Sequence, residues 1–203
     1  MITSLIKKIF FLFVFVVTNY LTGYCHDAGY IGISIGMPIK YDLSKSDQDF
    51  KTSSNDIPGY QIFIHASLLF IGLEYGIENY KLNIEQKENP QFDIDVEINI
   101  NDLSLFFPII LSNDYFVIVS IGQGSGTAKI NCTSALCSSN EDIFQDIDVK
   151  QNLLKLKIPI SNFSIGIGYH QLQGGGRLAY KDSTYQDLYL DSDLYSLSLD
   201  YWF

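Results

Sequence analysis

Three features of this 203-residue chain predict an all-β fold, an eight-stranded antiparallel up-and-down transmembrane β-barrel preceded by a signal peptide. Apolar and polar residues alternate in eight segments, each about ten residues long, which is the mark of strands crossing a bilayer. Short and long connections between those segments alternate strictly. The last segment ends on an aromatic residue, Phe203.

The N-terminus reads as an export signal. Lys7 and Lys8 precede the nine-residue apolar run Ile9–Val17, and Thr18–Cys25 follows, with the small residues Gly23 and Cys25 at the −3 and −1 positions of a cleavage site. A basic start, an apolar centre and a small-residue end are the parts of a secretory signal peptide. A spanning helix would need roughly 20 apolar residues, and the run is far shorter. The domains are therefore residues 1–25, a cleaved signal, and 26–203, the barrel. Cleavage after Cys25 is favoured over its acylation, because the bulky Tyr24 precedes it.

Removing residues 1–25 takes away two Lys and no acid, so the net charge falls from −10 to −12. An acidic chain with one Arg does not suit nucleic acid. Export also gives meaning to Cys132 and Cys137, an even pair expected to form a loop disulfide in an oxidising compartment. A single Cys-x4-Cys is too sparse for structural zinc.

The strands follow in order. Tyr30–Pro38 sets Ile31, Ile33, Ile35 and Met37 against Gly32, Ser34 and Gly36. Gly59–Ala66 sets Tyr60, Ile62 and Ile64 against Gln61, Phe63 and His65. Next, Ile71, Leu73, Tyr75 and Ile77 oppose Gly72, Glu74, Gly76 and Glu78. A fourth strand carries Leu103, Leu105, Phe107 and Ile109, and a fifth carries Tyr115, Val117, Val119 and Ile121. In the sixth, Leu154, Leu156, Ile158 and Ile160 oppose Lys155 and Lys157. In the seventh, Phe163, Ile165, Ile167 and Tyr169 oppose Ser164, Gly166, Gly168 and His170. The eighth is Asp193–Phe203, where Tyr195, Leu197, Leu199, Tyr201 and Phe203 share one face. Period-two alternation places each set on its own side of the sheet.

Short links join strands two and three (Ser67–Leu69), four and five (Ser112–Asp114), and six and seven (Ser161–Asn162). Longer polar stretches lie around 39–57, 85–91, 131–144 and 173–190. Short periplasmic turns and long outer loops give this order when both termini lie inside. A soluble β-sandwich also alternates, but the boundary aromatics, the Gly- and Ser-rich second face and the terminal Phe favour a barrel. Closure also leaves no unpaired edge in lipid. It requires the first strand to pair with the last.

The closing strand resembles that of bacterial outer-membrane β-barrels, in which a C-terminal aromatic belongs to the signal read by the barrel-assembly machinery. The resemblance assigns that role to Tyr201 and Phe203. Over residues 29–203 the chain resembles the OmpA/OmpX-like eight-stranded barrels. It implies a cell outer membrane location in a Gram-negative bacterium, and a monomer in contact with membrane lipids and lipopolysaccharide. The function expected is that of a non-enzymatic surface protein serving envelope integrity, adhesion or host contact, with acidic loops meeting a host or surface ligand.

Eight strands leave room only for side chains inside. The inward set is Glu74, Glu78, Lys155, Lys157, His170 and Asp200, joined by Gln61 and His65, and it is expected to pair as a lumen plug because buried unpaired charge is costly. A narrow ion channel is the alternative. A lipid A-modifying enzyme is a further one, since His65-Ala66-Ser67 with Glu74 resembles the His-x-Ser pair of lipid A deacylases. In this chain, however, Leu68-Leu69 replaces that family's Asn-Ala, and the triplet sits at a periplasmic turn.

No cofactor or metal is expected. Gly122–Gly126 and Gly174–Gly176 do not open a helix as a phosphate cradle does. The first run is expected to bend the fifth strand or admit lumen side chains, and the second to enter a mobile loop. The acidic loops match no calcium-binding loop. Finally, the apolar parity switches beyond Ile77 to Tyr80, Leu82 and Ile84, and Ile94, Val96, Ile98 and Ile100 mirror the switch above Asn101-Asp102. Bulges are expected there, with a projecting hairpin above them. Its apolar face is either covered by other loops or exposed to a partner.

Overall fold

A computed structural model describes residues 30–43, 50–52, 59–68, 71–86, 93–112, 115–132, 147–179 and 185–203. The signal segment 1–25 and Cys137, and with it the Cys132–Cys137 pair, lie outside the described residues. The strands are β1 (Tyr30–Asp42), β2 (Phe50–Thr52), β3 (Gly59–Leu68), β4 (Ile71–Gln86), β5 (Asp93–Ser112), β6 (Tyr115–Cys132), β7 (Ile147–Ile160), β8 (Phe163–Ala179), β9 (Tyr185–Tyr189) and β10 (Ser192–Trp202). Among the described residues no helix is long and apolar enough to cross a membrane.

Eight of these strands form the wall in the order β1, β3, β4, β5, β6, β7, β8, β10, every neighbour antiparallel. The ring closes between β1 and β10, with Gly32 opposite Trp202 and Met37 opposite Leu197. The Phe203 amide adds a bond to the Ile31 carbonyl at 2.8 Å. β2 pairs only with the top of β4, and β9 only with the top of β8.

The sequence placed Gly174–Gly176 in a loop entry. Instead β8 continues through them to Ala179, and Gly175 and Gly176 pair with Tyr189 and Leu188 of β9. The turn expected at Ser67–Leu69 is also shorter, because β3 keeps its pairing through Leu68. At the Ser161-Asn162 turn, Ser161 has φ 57°, the left-handed region that a two-residue hairpin demands of its first position.

The expected bulges on the third and fourth barrel strands are absent. β4 and β5 pair in unbroken register from Gly72 opposite Phe106 to Glu85 opposite Asp93. The inward parity stays constant, while the chemistry of the two faces inverts. Below the switch, Leu103 and Leu105 face outward, and Leu105 is 54% exposed. Above it, Tyr80, Leu82, Ile84, Ile94, Val96, Ile98 and Ile100 face inward, and Ile98 is 0% exposed. The lower zone is thus a membrane barrel, apolar outside, and the upper zone a water-soluble one, apolar inside. A parity change in hydropathy can reflect a change of solvent as well as a bulge.

The apolar face of the projecting strands is therefore covered. Tyr41, Leu43, Ala128, Ile130, Ile147, Val149, Leu172, Leu190 and Leu194 complete one buried cluster with them. β1 joins this cluster through a real bulge. Pro38 pairs with Ser196 and Lys40 with Tyr195, leaving Ile39 as the extra residue. Proline is tolerated there because it has no N–H to give the ladder. The bulge turns Lys40 outward beside Ile39 and brings Tyr41 inward. Burial pushes the Tyr41 hydroxyl above its ordinary range, so it stays a neutral donor, reaching the Leu190 carbonyl at 3.5 Å.

Candidate functional site

The lumen below the apolar cluster is filled in three tiers. Nearest the short turns, His65 of β3, Phe106 of β5 and Trp202 of β10 stack on one another. The His65 and Trp202 rings lie 4.0 Å apart, and Phe106 lies 5.7 Å from Trp202. The indole N–H of Trp202 donates to the Ser164 hydroxyl at 3.2 Å. Its place at a strand end counted this tryptophan among the boundary aromatics, but its ring follows the inward parity of Ser198 and Asp200 and closes the lower mouth of the lumen.

The middle tier is ionic. Lys155 donates to Glu74 at 2.8 Å, and its ammonium lies 2.8 Å from the Phe63 ring centroid. Lys157 bonds Glu74 as well as Asp200, the latter at 2.7 Å. Ser164 donates to the second Asp200 oxygen at 3.0 Å. Two ammonium groups meet two carboxylates, so the tier is neutral when His65 is uncharged. All four charged side chains are at most 1% exposed.

The upper tier is richer in amides. Gln61 donates to Glu78 at 2.8 Å and to the Tyr80 hydroxyl at 2.9 Å. Gln151 donates to Glu78 at 3.0 Å and to Asp102 at 2.9 Å. His170 Nε2 lies 2.8 Å from the Ser196 hydroxyl, and its Nδ1 lies 3.4 Å from Glu78. Each residue of the expected network (Glu74, Glu78, Lys155, Lys157, His170 and Asp200) is buried in the lumen. The structure adds Asp102 and Gln151, which sequence reading missed. Asp102 was set aside as a bulge position, although it shares the parity of Ser104 and Phe106.

Strands β1, β4, β6 and β8 give way to these long side chains. A Cβ at Gly32 would strike the His65 ring, one at Gly76 would strike Phe63, and one at Gly72 would strike Phe106. At Gly166 it would lie 3.3 Å from the Lys157 stem. The Gly122–Gly126 run continues as strand, with Gly122 set against Ser104 and Gly124 against Asp102.

His65, Glu74 and Asp200 each offer a ligand atom within 4.8 Å of the others. Lys157 already bonds both carboxylates, so the set is charge-satisfied by an internal cation. Neither ring nitrogen of His65 has a hydrogen-bond partner, and Nδ1 stands 3.9 Å from Glu74 and 4.0 Å from Asp200. That spacing is too long for the His–carboxylate bond of a nucleophile-activating relay.

At the rim, Tyr201 contacts Phe163 and Phe203, each with ring centroids 5.0 Å apart. Phe203 is 73% exposed and points away from the barrel interior. With the closed ring, the apolar outer belt and the filled lumen established, the architecture is decided. It is that of a closed eight-stranded antiparallel transmembrane β-barrel.

No family model and no curated protein matches the chain. Solved structures do. The attachment invasion locus protein Ail of Yersinia pestis, in complex with the heparin analogue sucrose octasulfate, is 18% identical, with TM-score 0.47, covering 87% of this chain and 100% of that one. The outer membrane protein OprG from Pseudomonas aeruginosa is 12% identical, with TM-score 0.45 and coverages of 87% and 96%. Neisserial surface protein A is 12% identical, with TM-score 0.44 and coverages of 86% and 97%.

Within this barrel all eight wall strands send a polar or aromatic side chain inward, β1 through Ser34 and β6 through Ser120. The interior is a brace that ties opposite walls together.

Proposed function

We propose that this chain is a non-enzymatic, monomeric surface protein of the Gram-negative outer membrane, exported by its signal segment and serving envelope integrity, adhesion or host contact. One observation carries the proposal: the interior is occupied from rim to top, first by the Trp202 stack, then by the ion-paired tiers, then by the apolar cluster. A barrel so filled transmits nothing through its centre and works through its outside. Its partners are membrane lipids, lipopolysaccharide, the assembly machinery that reads Tyr201 and Phe203, and a host or surface ligand at the acidic loops. The lipid A-modifying alternative is disfavoured because His65 lies at the lower mouth against Trp202, remote from outer-leaflet acyl chains. Reconstituted in planar bilayers, the protein is expected to give no steady single-channel steps. Reproducible unitary currents abolished by a lumen substitution would replace this reading with the narrow channel.

A further inference from the structure

Immediately above the apolar belt, five adjacent strands each turn a carboxamide outward. On β5, Leu103 gives way to Asn101 and Asn99; on β6, Ile121 gives way to Gln123. On β7, Leu154 gives way to Asn152, and on β8, Tyr169 gives way to Gln171. On β4, Ile77 is followed by Asn79. The register joins them into a band of two stretches, β4–β5 and β6–β8, stepped by two residues at the seam where Gln123 faces Leu103 and Asn101 faces Ser125. Gln123 lies opposite Asn152, Asn152 opposite Gln171, and Asn99 opposite Asn79.

Hydrogen bonds hold the band flat. Asn79 donates to Asn99 at 2.7 Å, Gln123 donates to Asn152 at 3.2 Å, and the Tyr75 hydroxyl donates to Asn101 at 3.1 Å. Asn99, Asn101, Gln123 and Asn152 remain exposed. The other side of the barrel is different. At that height β1 presents Ile39 and Lys40, and β3 presents Tyr60.

We infer that this band on β4–β8 receives the saccharide headgroup of a glycolipid whose acyl chains lie on the belt directly beneath it. The inference rests on the outer-membrane reading above and names the site of its lipid contact. A lipid packed on Leu103, Ile121 and Leu154 must place its headgroup on the residues next in each strand. Those residues are carboxamides, which offer both donors and acceptors. Neighbouring strands repeat them about 4.8 Å apart, a spacing that suits the hydroxyls of a sugar ring. The next outward residues include Lys150 on β7 and Lys81 on β4, the latter opposite Glu97, and these provide cations for phosphates borne on the sugar. A bare phospholipid headgroup has few hydroxyls to use this surface.

The test uses the full mature chain folded in phosphatidylcholine nanodiscs, with folding checked by heat-modifiable gel migration. Native mass spectrometry then measures retention of added lipopolysaccharide against added phosphatidylglycerol, which carries phosphate without sugar. Selective retention of lipopolysaccharide is expected, weakened roughly tenfold, equivalent to about 1.4 kcal/mol, by Gln123→Leu with Asn152→Leu. Should that pair misfold, Asn152→Asp keeps the shape and repels phosphate, and it should weaken retention in the same direction. Equal retention of both lipids, or retention unchanged in the variants, would overturn the inference while leaving the barrel reading intact. Failure of the chain to enter any bilayer would instead overturn the outer-membrane reading.

Discussion

Replacing Lys157 by Met should destabilise the barrel by about 3–5 kcal/mol, the range for leaving a buried charge without its partner. Lys157 is the only described cation bonded to both Glu74 and Asp200, and all three side chains are 0% exposed. Met fills a similar volume, so the loss reports on charge and not on a cavity. Lys155 still serves Glu74, which leaves Asp200, among the described residues, with the Ser164 hydroxyl as its hydrogen-bond donor and no bonded cation. Adding Asp200→Asn to Lys157→Met should therefore restore most of the loss, since the orphaned charge is then gone. Urea unfolding in lipid vesicles gives both values. A loss below about 1 kcal/mol for Lys157→Met would mean that water reaches the tier and that the lumen is not closed.

The second large effect belongs to the inverted zone. Ile98 is 0% exposed and pairs with Tyr80 and Ala128 inside the apolar cluster. Ile98→Ala is expected to cost about 2–5 kcal/mol, from lost burial and the cavity left behind. Neighbouring Asn99, which points outward on the same strand, should tolerate Ala within about 0.5 kcal/mol. The same unfolding assay compares them. If both substitutions were near neutral, the apolar face of the extended strands would be free, as a surface waiting for a partner would be.

Much of the fold was legible because a barrel strand repeats one simple rule, and eight segments obeyed it. The inward positions of Glu74, Lys155, Lys157 and Asp200 followed directly from parity, as did the pairing of β1 with β10. The upper zone was harder to read. There Tyr80, Leu82 and Ile84 keep the inward parity of Glu74 and Glu78, but the solvent outside changes from lipid to water. Hydropathy records which face is apolar, not which face is inside, so a bulge and a change of solvent look alike. The same ambiguity hid Asp102. Gly174–Gly176 misled for another reason: Gly is a poor strand former alone, yet here β9 supplies the pairing that holds it extended. Ile39, by contrast, marks a true bulge that alternation did not reveal, because Met37 and Ile39 continue one apolar parity across it.

The lumen chemistry was legible as a list but not as partners. Sequence could not say that Gln151 would bridge Glu78 and Asp102, since those residues come from three different strands. Nor could it show that Trp202, about two-thirds of the chain away from Phe63 and His65, would close the same cavity that they line. Such contacts depend on strand order and stagger, which a local pattern does not contain.

The central claim is a closed membrane barrel, and one gel of fractionated cells tests it most directly. The account predicts that the protein sediments with the outer membrane and that the unboiled form migrates faster than the boiled one, because the closed barrel resists detergent until heated. A soluble periplasmic protein with the same mobility before and after boiling would contradict it.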